Sequence, residues 1–315
     1  MSGPRVGLIG ARRKRQGLGP FVARDLRAAG AEVSCVLGTR GDTAEAAVRQ
    51  LAEACGVEAR GYTDLEQMLR AERLDAIAIL SPSETHEAYL ERALLAGLHV
   101  LCEKPLVWGG TALARRASSF VERYAERGLL LWENCQWPYT LPAFRELHPG
   151  APTGAPERFA MRLSPNSTDL QALGDAMPHP LSLLQAIVAA GPGRIGTPSF
   201  EADDARLRVS FEYAAGDAHV AVEVELVRAH EVPRVAAYAL DGCWVHRRVR
   251  LPDYEICFGC DDRLTGPLDP LSELIRAFVG ELETLGSGSA PRSSALADRL
   301  EMLETLVLAF AEAQP

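Results

Sequence analysis

Three stretches of this 315-residue chain have the residue types and spacing to do chemistry. The first is Gly10-Ala11-Arg12-Arg13-Lys14-Arg15-Gln16-Gly17-Leu18-Gly19-Pro20, which follows the apolar run Val6-Gly7-Leu8-Ile9 and precedes an amphipathic segment. Strand, glycine-bearing turn and helix N-terminus in that order make a phosphate site, because backbone N–H groups and the helix dipole point at the anion. The spacing departs from G-x-G-x-x-G: counted from Gly10, the second and third glycine positions fall on Arg12 and Arg15. Gly10, Ala11, Gly17 and Leu18 are therefore read as the backbone of the site, with Gly17 and Gly19 supplying the close approach, and Arg12 and Arg13 as charges around the phosphates. A solvated basic loop ahead of an ordinary first helix is the plain alternative. The second stretch is Glu103-Lys104-Pro105, which ends an apolar run where the carboxyl edge of a doubly wound sheet receives ligands. The third is Cys243-x2-His246 with Cys257-x2-Cys260, a donor set that zinc accepts. Cys243 and His246 lie in strand-like sequence, where residues three apart face opposite sides, so no metal is expected. Cys257 and Cys260 bracket Gly259 in a knuckle shape and are read as reduced thiols.

These residues need a scaffold. From Arg5 to Leu131 short β-rich runs alternate with amphipathic stretches, the rhythm of a parallel sheet with helices on both faces. Strands are expected at 6–9, 33–37, 76–80, 99–102 and 129–132, with Gly30 and Gly97 closing helices and Asp64 capping one. Past the Pro/Gly-rich stretch 148–156 come strand-like runs at 158–163, 205–213, 218–227, 235–240 and 244–250, followed by two terminal helices. The expected fold class is α/β. A Rossmann dinucleotide-binding domain takes residues 1–137, and an α+β substrate and oligomerisation domain with an open, mostly antiparallel sheet takes 138–290. A C-terminal helix at 291–315 is expected to pack back towards the Rossmann domain.

Composition narrows the function classes. With 33 Lys+Arg against 42 Asp+Glu the net charge is −9, which disfavours nucleic acid or an anionic membrane as partner. Hydrophobic residues at 47% and charged residues at 24% are those of a folding globular chain. The longest apolar runs fall far short of the roughly 20 residues that span a bilayer. Seven scattered cysteines and the absence of a secretory h-region point to a reduced, cytoplasmic protein.

The second strand ends Val36-Leu37-Gly38-Thr39-Arg40, with no carboxylate before Asp42. A ribose 2′-hydroxyl is ordinarily held there by a carboxylate, whereas a 2′-phosphate needs a donor and a cation. Thr39 and the guanidinium fork of Arg40 suit the phosphate, so NADP fits better than NAD.

The run Ala96-Gly97-Leu98-His99-Val100-Leu101-Cys102-Glu103-Lys104-Pro105, with Ser81-Pro82-Ser83-Glu84-Thr85-His86 upstream, resembles the glucose-fructose oxidoreductase and inositol dehydrogenase (Gfo/Idh/MocA) family. In that family the Glu-Lys-Pro segment follows a run of the type A-G-x-H-V-x-x-E-K-P. The resemblance implies that Ser81, Pro82, His86, Glu103 and Lys104 line the cofactor, although His86 also reads as a helix-start residue bonded to its own turn. It further implies that Asp175 and His179, four residues apart, work with Lys104: His179 as acid/base, Lys104 steadying the reacting oxygen, Asp175 orienting the pair. The chain departs from the family in having Met177 between Asp175 and His179 and a proline on each side of His179, and Pro180 biases His179 away from helical dihedrals. Asn134, Trp137 and Tyr139 follow the last parallel strand and read as substrate contacts or as aromatic packing at a domain seam.

The implied activity is NADP-dependent hydride transfer at a hydroxyl or keto carbon of a sugar, cyclitol or similar polar small molecule. The alternatives are a non-catalytic cofactor-binding or regulatory protein, and nicotinamide-assisted glycoside cleavage. A homodimer or homotetramer is expected through the second sheet, whose Val220-Ala221-Val222-Glu223-Val224 is read as apolar on both faces.

Overall fold

The structure is a computed structural model that describes residues 3–12, 17–228, 233–252, 254–285 and 294–313. Arg13, counted above among the phosphate contacts, lies outside the described residues, as does the segment 286–289. The chain divides into two units.

The first unit is built from β1 (Arg5–Ile9), α1 (Gly19–Ala28), β2 (Glu32–Leu37), α2 (Gly41–Cys55), β3 (Arg60–Tyr62), α3 (Leu65–Ala71), β4 (Ala76–Ile79), α4 (His86–Ala96), β5 (His99–Cys102), α5 (Leu113–Glu126) and β6 (Leu131–Glu133). Its six strands lie in the order β3-β2-β1-β4-β5-β6, and every pairing is parallel. A parallel sheet covered on both faces needs strands that are apolar throughout, and all of β4 is buried, as is all of β5 except half-buried His99. The order reverses between β1 and β4, so their carboxyl ends diverge into the crevice where ligands of such sheets bind. The punctuation at Gly30, Gly97 and Asp64 follows the sequence: Gly30, at φ 95°, follows the last turn of α1, Gly97 ends α4 in the left-handed region as Gly56 does α2, and the Asp64 side chain accepts from Gln67 N–H at 2.7 Å to start α3. The strand β3 escaped the sequence reading because Arg60-Gly61-Tyr62 carries no aliphatic residue; its place is set by pairing with β2.

The second unit contains α6 (Leu141–Leu147), β7 (Arg158–Leu163), α7 (Leu170–Ala176), α8 (Pro178–Ile187), β8 (Arg194–Ile195), β9 (Ser199–Ala202), β10 (Arg206–Ala215), β11 (Ala218–Val227), β12 (Ala236–Leu240), β13 (Cys243–Arg250), β14 (Glu255–Cys260) and β15 (Arg263–Leu264). The nine strands run β15-β14-β13-β12-β7-β11-β10-β8, with β9 beside β10, and only β7 and β11 pair in parallel. Register places Val209, Val224, Met161, Tyr238 and Val245 in one row on the inner face, all fully buried or nearly so.

Two expectations about this sheet need correction. Its outer face is charged rather than apolar: Glu225 bridges Arg162 and Arg206, Arg208 reaches Glu201 and Glu223, and His219 meets Glu212. Strict alternation along β11 sends Val220, Val222 and Val224 inward and Ala221 and Glu223 outward, which a run of mixed small and apolar letters conceals. The supposed knuckle Cys257–Cys260 is part of β14, with Cys257 opposite Arg248 and Gly259 opposite His246. Two cysteines three apart on a strand face opposite sides, and among the described residues no three His, Cys, Asp or Glu side chains are grouped to hold a metal.

The terminal helices are α9 (Pro270–Leu285) and α10 (Ser294–Ala313). The sequence reading returns the last helix to the Rossmann domain; in the structure α9 belongs with the first unit and α10, from Ala297 on, with the second. Phe278 of α9 packs against Trp132 with ring centroids 5.7 Å apart, and Arg24 donates to Ser272. In α10, Phe310 meets Phe200 at 5.1 Å and Arg299 donates to Gln185 at 3.0 Å. No helix among the described residues is long and apolar enough to cross a membrane. Phe278 is fully buried, so Phe278→Ala is expected to lower stability by about 3–5 kcal/mol, read as a shift in the denaturant midpoint.

Candidate active site

In the first unit the phosphate turn is shaped by contacts that exclude side chains. Gly10 leaves β1 with φ of 78°, and a Cβ there would stand 2.8 Å from the backbone of Ser81, so the turn lies directly against the end of β4. A Cβ on Gly19 would stand 1.8 Å from the carbonyl oxygen of Ala11, which makes Gly19 the close-approach glycine of this longer loop. Gly17 and Leu18 lead into α1, whose N-cap position, Leu18, offers no side-chain cap to the N–H groups of the first turn. An uncapped N-terminus against a turn that only glycine permits fits a pyrophosphate.

At the end of β2, Thr39 and Arg40 are exposed. Arg40 donates to both oxygens of Asp42, at 3.0 and 3.1 Å, and those hydrogen bonds hold the Asp42 carboxyl below its ordinary value. The carboxylate that looked too late in the sequence thus folds back onto the guanidinium, with Arg12 within electrostatic reach. Its signal was the Thr43 hydroxyl, which accepts from Arg40 N–H at 2.9 Å and donates to the Arg40 carbonyl at 2.7 Å, tightening the turn.

The Glu103-Lys104-Pro105 segment leaves β5 at the same edge, with a cis peptide bond between Lys104 and Pro105. It is fixed by three buried polar side chains. His86, the first residue of α4, is fully buried, with Nδ1 at 2.9 Å from the Pro105 carbonyl oxygen and Nε2 at 2.9 Å from that of Ser81. Both ring nitrogens thus face backbone carbonyl oxygens. His86 therefore has no nitrogen to offer a cofactor and instead fastens the Ser81-Pro82 turn to Pro105. Asn134 donates to Glu103 through its side-chain amide, and Glu133 accepts from Leu106 N–H at 2.9 Å. Burial raises the Glu103 carboxyl above its ordinary value, opposed by the Lys104 charge, the Asn134 hydrogen bond and the His86 charge. Asn134, only 4% exposed, is committed to Glu103 rather than presented for a substrate.

In the second unit, Asp175 lies near the end of α7 and His179 is the second residue of α8. The expected departure of His179 from helical geometry does not occur. Met177, at φ −66° and ψ −27°, carries the helical turn across the junction, and Leu181 N–H reaches the Met177 carbonyl at 3.2 Å. Pro178 and Pro180 are tolerated because first-turn N–H groups have no intrahelical acceptor to lose. Asp175 and His179 stand one turn apart, both half-buried. Trp137 packs edge-on against the His179 ring at 6.4 Å and against Tyr238 at 6.1 Å, while Tyr139 is half-buried in the same short turn.

The raised Glu103 value has a stability consequence whose sign is fixed. A carboxyl whose folded pKa lies above its unfolded value contributes stability below the unfolded value, and this is lost as pH rises through the folded one. Wild-type protein is therefore expected to gain stability relative to Glu103→Gln as pH falls towards the ordinary value of 4.5, in paired thermal melts. A difference that is constant with pH contradicts a raised value.

Residues 4–135 match the model of an oxidoreductase family with an NAD-binding Rossmann fold, Gfo/Idh/MocA. The UDP-N-acetylglucosamine 3-dehydrogenase of Acidithiobacillus ferrooxidans is 30% identical over 198 residues, which is 60% of this chain and 55% of that protein. Its solved structure aligns over 99% of this chain and 98% of its own, with a TM-score of 0.69 and 21% identity. The inositol 2-dehydrogenase of Corynebacterium glutamicum is 36% identical over 102 residues, 32% of this chain and 28% of that one. The 3-ketoreductase KijD10 of Actinomadura kijaniata, solved with NADP, aligns over 96% of each chain with a TM-score of 0.64 and 23% identity. The sequence matches thus span about half or less of these curated relatives, and the structural likenesses, under 25% identical, concern the fold. The likeness to the Gfo/Idh/MocA oxidoreductase family is thus carried by residues 4–135, the Rossmann domain of this chain.

Proposed function

We propose that the protein is an NADP-preferring oxidoreductase that moves a hydride between nicotinamide and a hydroxyl or keto carbon of a sugar, cyclitol or similar polyol. The observation that carries this reading is the convergence, on the carboxyl edge of one parallel sheet and on both sides of its reversal point, of the Gly10 turn, Arg40 and Lys104. The nicotinamide, when bound, supplies or accepts the hydride. Gly10, Ala11, Gly17, Leu18 and the first turn of α1 hold the pyrophosphate. Arg12, Thr39 and Arg40 take the 2′-phosphate, and Arg40 exchanges the Asp42 carboxylate for it. Because that exchange starts from an intact ion pair, Asp42 limits the preference for NADP over NAD.

His179 and Lys104 form the catalytic pair. Hydride transfer to a carbonyl leaves an alkoxide; an ammonium stabilises that charge and an imidazole returns the proton. Asp175, one turn before His179, orients the imidazole, and Trp137 forms its wall. His86, Glu103 and Asn134 act through Lys104 by fixing the segment that carries it. Tyr139 is kept as a substrate contact. The charged outer face of the second sheet, over which a groove of about 670 Å³ runs between Arg158, Ser210, Glu223 and Trp244, is assigned to a second copy of the chain. Light scattering at micromolar concentration is expected to give a dimer or tetramer.

The test is a fluorescence titration with NADPH and NADH followed by turnover on polyol substrates. Arg40→Ala should weaken NADPH selectively, by about 1–3 kcal/mol; equal loss for both cofactors rejects the 2′-phosphate role. His179→Ala and Lys104→Ala should each reduce turnover roughly 10²–10⁴-fold with NADPH affinity retained.

A further inference from the structure

The inner face of the second sheet contains an arginine, Arg247, that pairs with no carboxylate among the described residues. Val245 stands opposite Tyr238 in the buried row, and Arg247, two residues further along β13, shares that face and stands opposite Phe258, which is fully buried. The Arg247 guanidinium donates to the carbonyl of Arg234, while its Nε is shut off from water without a hydrogen-bond partner. Arg234, half-buried just ahead of β12, donates to the Asn166 side chain. Neither arginine has a carboxylate within ion-pair distance among the described residues. The charged and titratable groups acting on them at longer range are Asp175, Tyr254 and Asp269, and the two guanidinium groups repel each other. Burial, ahead of that repulsion, pushes the Arg247 value down.

Two like charges brought together out of water cost free energy unless an anion joins them, and a planar guanidinium pair suits phosphate or carboxylate oxygens. Arg234 lies within electrostatic reach of Asp175, and Tyr238, one strand over from Arg247, touches Trp137, which touches His179. We propose that Arg247 and Arg234 form an anion-binding subsite beside the Asp175–His179 helices, which takes a phosphoryl or carboxylate group on the polyol substrate. This names the substrate class for the oxidoreductase reading and rests on it for the chemistry at His179, but anion capture itself is measured without nicotinamide.

Thermal melts of the full chain are recorded with inorganic phosphate, a sugar 1-phosphate, a nucleoside-diphosphate sugar, a uronic acid and the parent neutral sugar. Saturable stabilisation by the anionic probes and none by the neutral sugar is expected, and comparison of the phosphate and uronate arms identifies which anion is preferred. Arg247→Met should leave the ligand-free melting temperature unchanged or raised, because it replaces an uncompensated charge with an apolar side chain of similar length. It should also weaken the preferred anion by about tenfold or more, the loss of one charged hydrogen-bonding partner. Arg234→Gln, at a more open position, should weaken the same probe and serves if the first variant fails to fold. Anion responses in both variants equal to wild type, or no response in wild type, overturn the subsite. NADPH titration of the same variants is the separate readout: loss of nicotinamide binding by wild-type protein removes the oxidoreductase reading while leaving the anion result standing.

Discussion

The His86 ring, held between two backbone carbonyls, is the interaction on which the geometry of the first unit's carboxyl edge depends. Those carbonyls belong to the turn after β4 and to the residue after Lys104, so one side chain ties together two strand ends that a parallel sheet would otherwise release into separate loops. Glu103, whose carboxyl burial pushes up, follows the same strand end, and Asn134, after β6, holds Glu103. A buried network of this kind is costly when any member is lost, because each remaining group keeps its desolvation cost without its partner. The same rigidity fixes the backbone that carries Lys104.

The two units handle charge differently. In the first, Arg5, Glu32, Arg60 and Glu72 pair at the amino edge, while at the carboxyl edge the open ends of the strands and the first turn of α1 leave donors for a dinucleotide. In the second, Arg162, Arg206, Arg208, Glu223 and Glu225 pair across strands on the outer face, an arrangement that contributes little stability per pair but removes the apolar surface an open sheet would otherwise expose. Against that background Arg247 stands out, because it is placed on the apolar face and has no carboxylate within ion-pair distance among the described residues. Two proteins that parts of this chain resemble are named for a nucleotide sugar and for inositol, and a shared fold does not by itself name a substrate.

Within the sequence, the parallel half of the molecule was legible because burial on both faces writes itself as unbroken apolar runs, and because glycine at helix ends has a stereochemical reason to be there. The Glu-Lys-Pro run and the Asp175–His179 spacing were equally visible. The pattern of the second sheet was visible only as strands: which residues point inward along β11 and β13 depends on register, and a one-residue change reverses every side chain. That is why the outer face was read as apolar, why Cys257 and Cys260 passed for a knuckle, and why Arg247 carried no signal until Val245 was paired with Tyr238.

What the sequence by itself determined were local matters: the order of the longer strands and helices, the caps at Gly30, Asp64 and Gly97, the glycine turn at Gly10, and the residues at the ends of those strands. Tertiary structure decided whatever depends on partners distant along the chain. It turned Asp42 back onto Arg40, committed both nitrogens of His86, gave Asn134 to Glu103, and assigned α9 and α10 to different units. Local preference acts within a few residues and is recorded in composition and spacing. Hydrogen-bond partners and neutralising charges are set by packing between segments, and a buried polar group reveals its role only when its acceptor is in place.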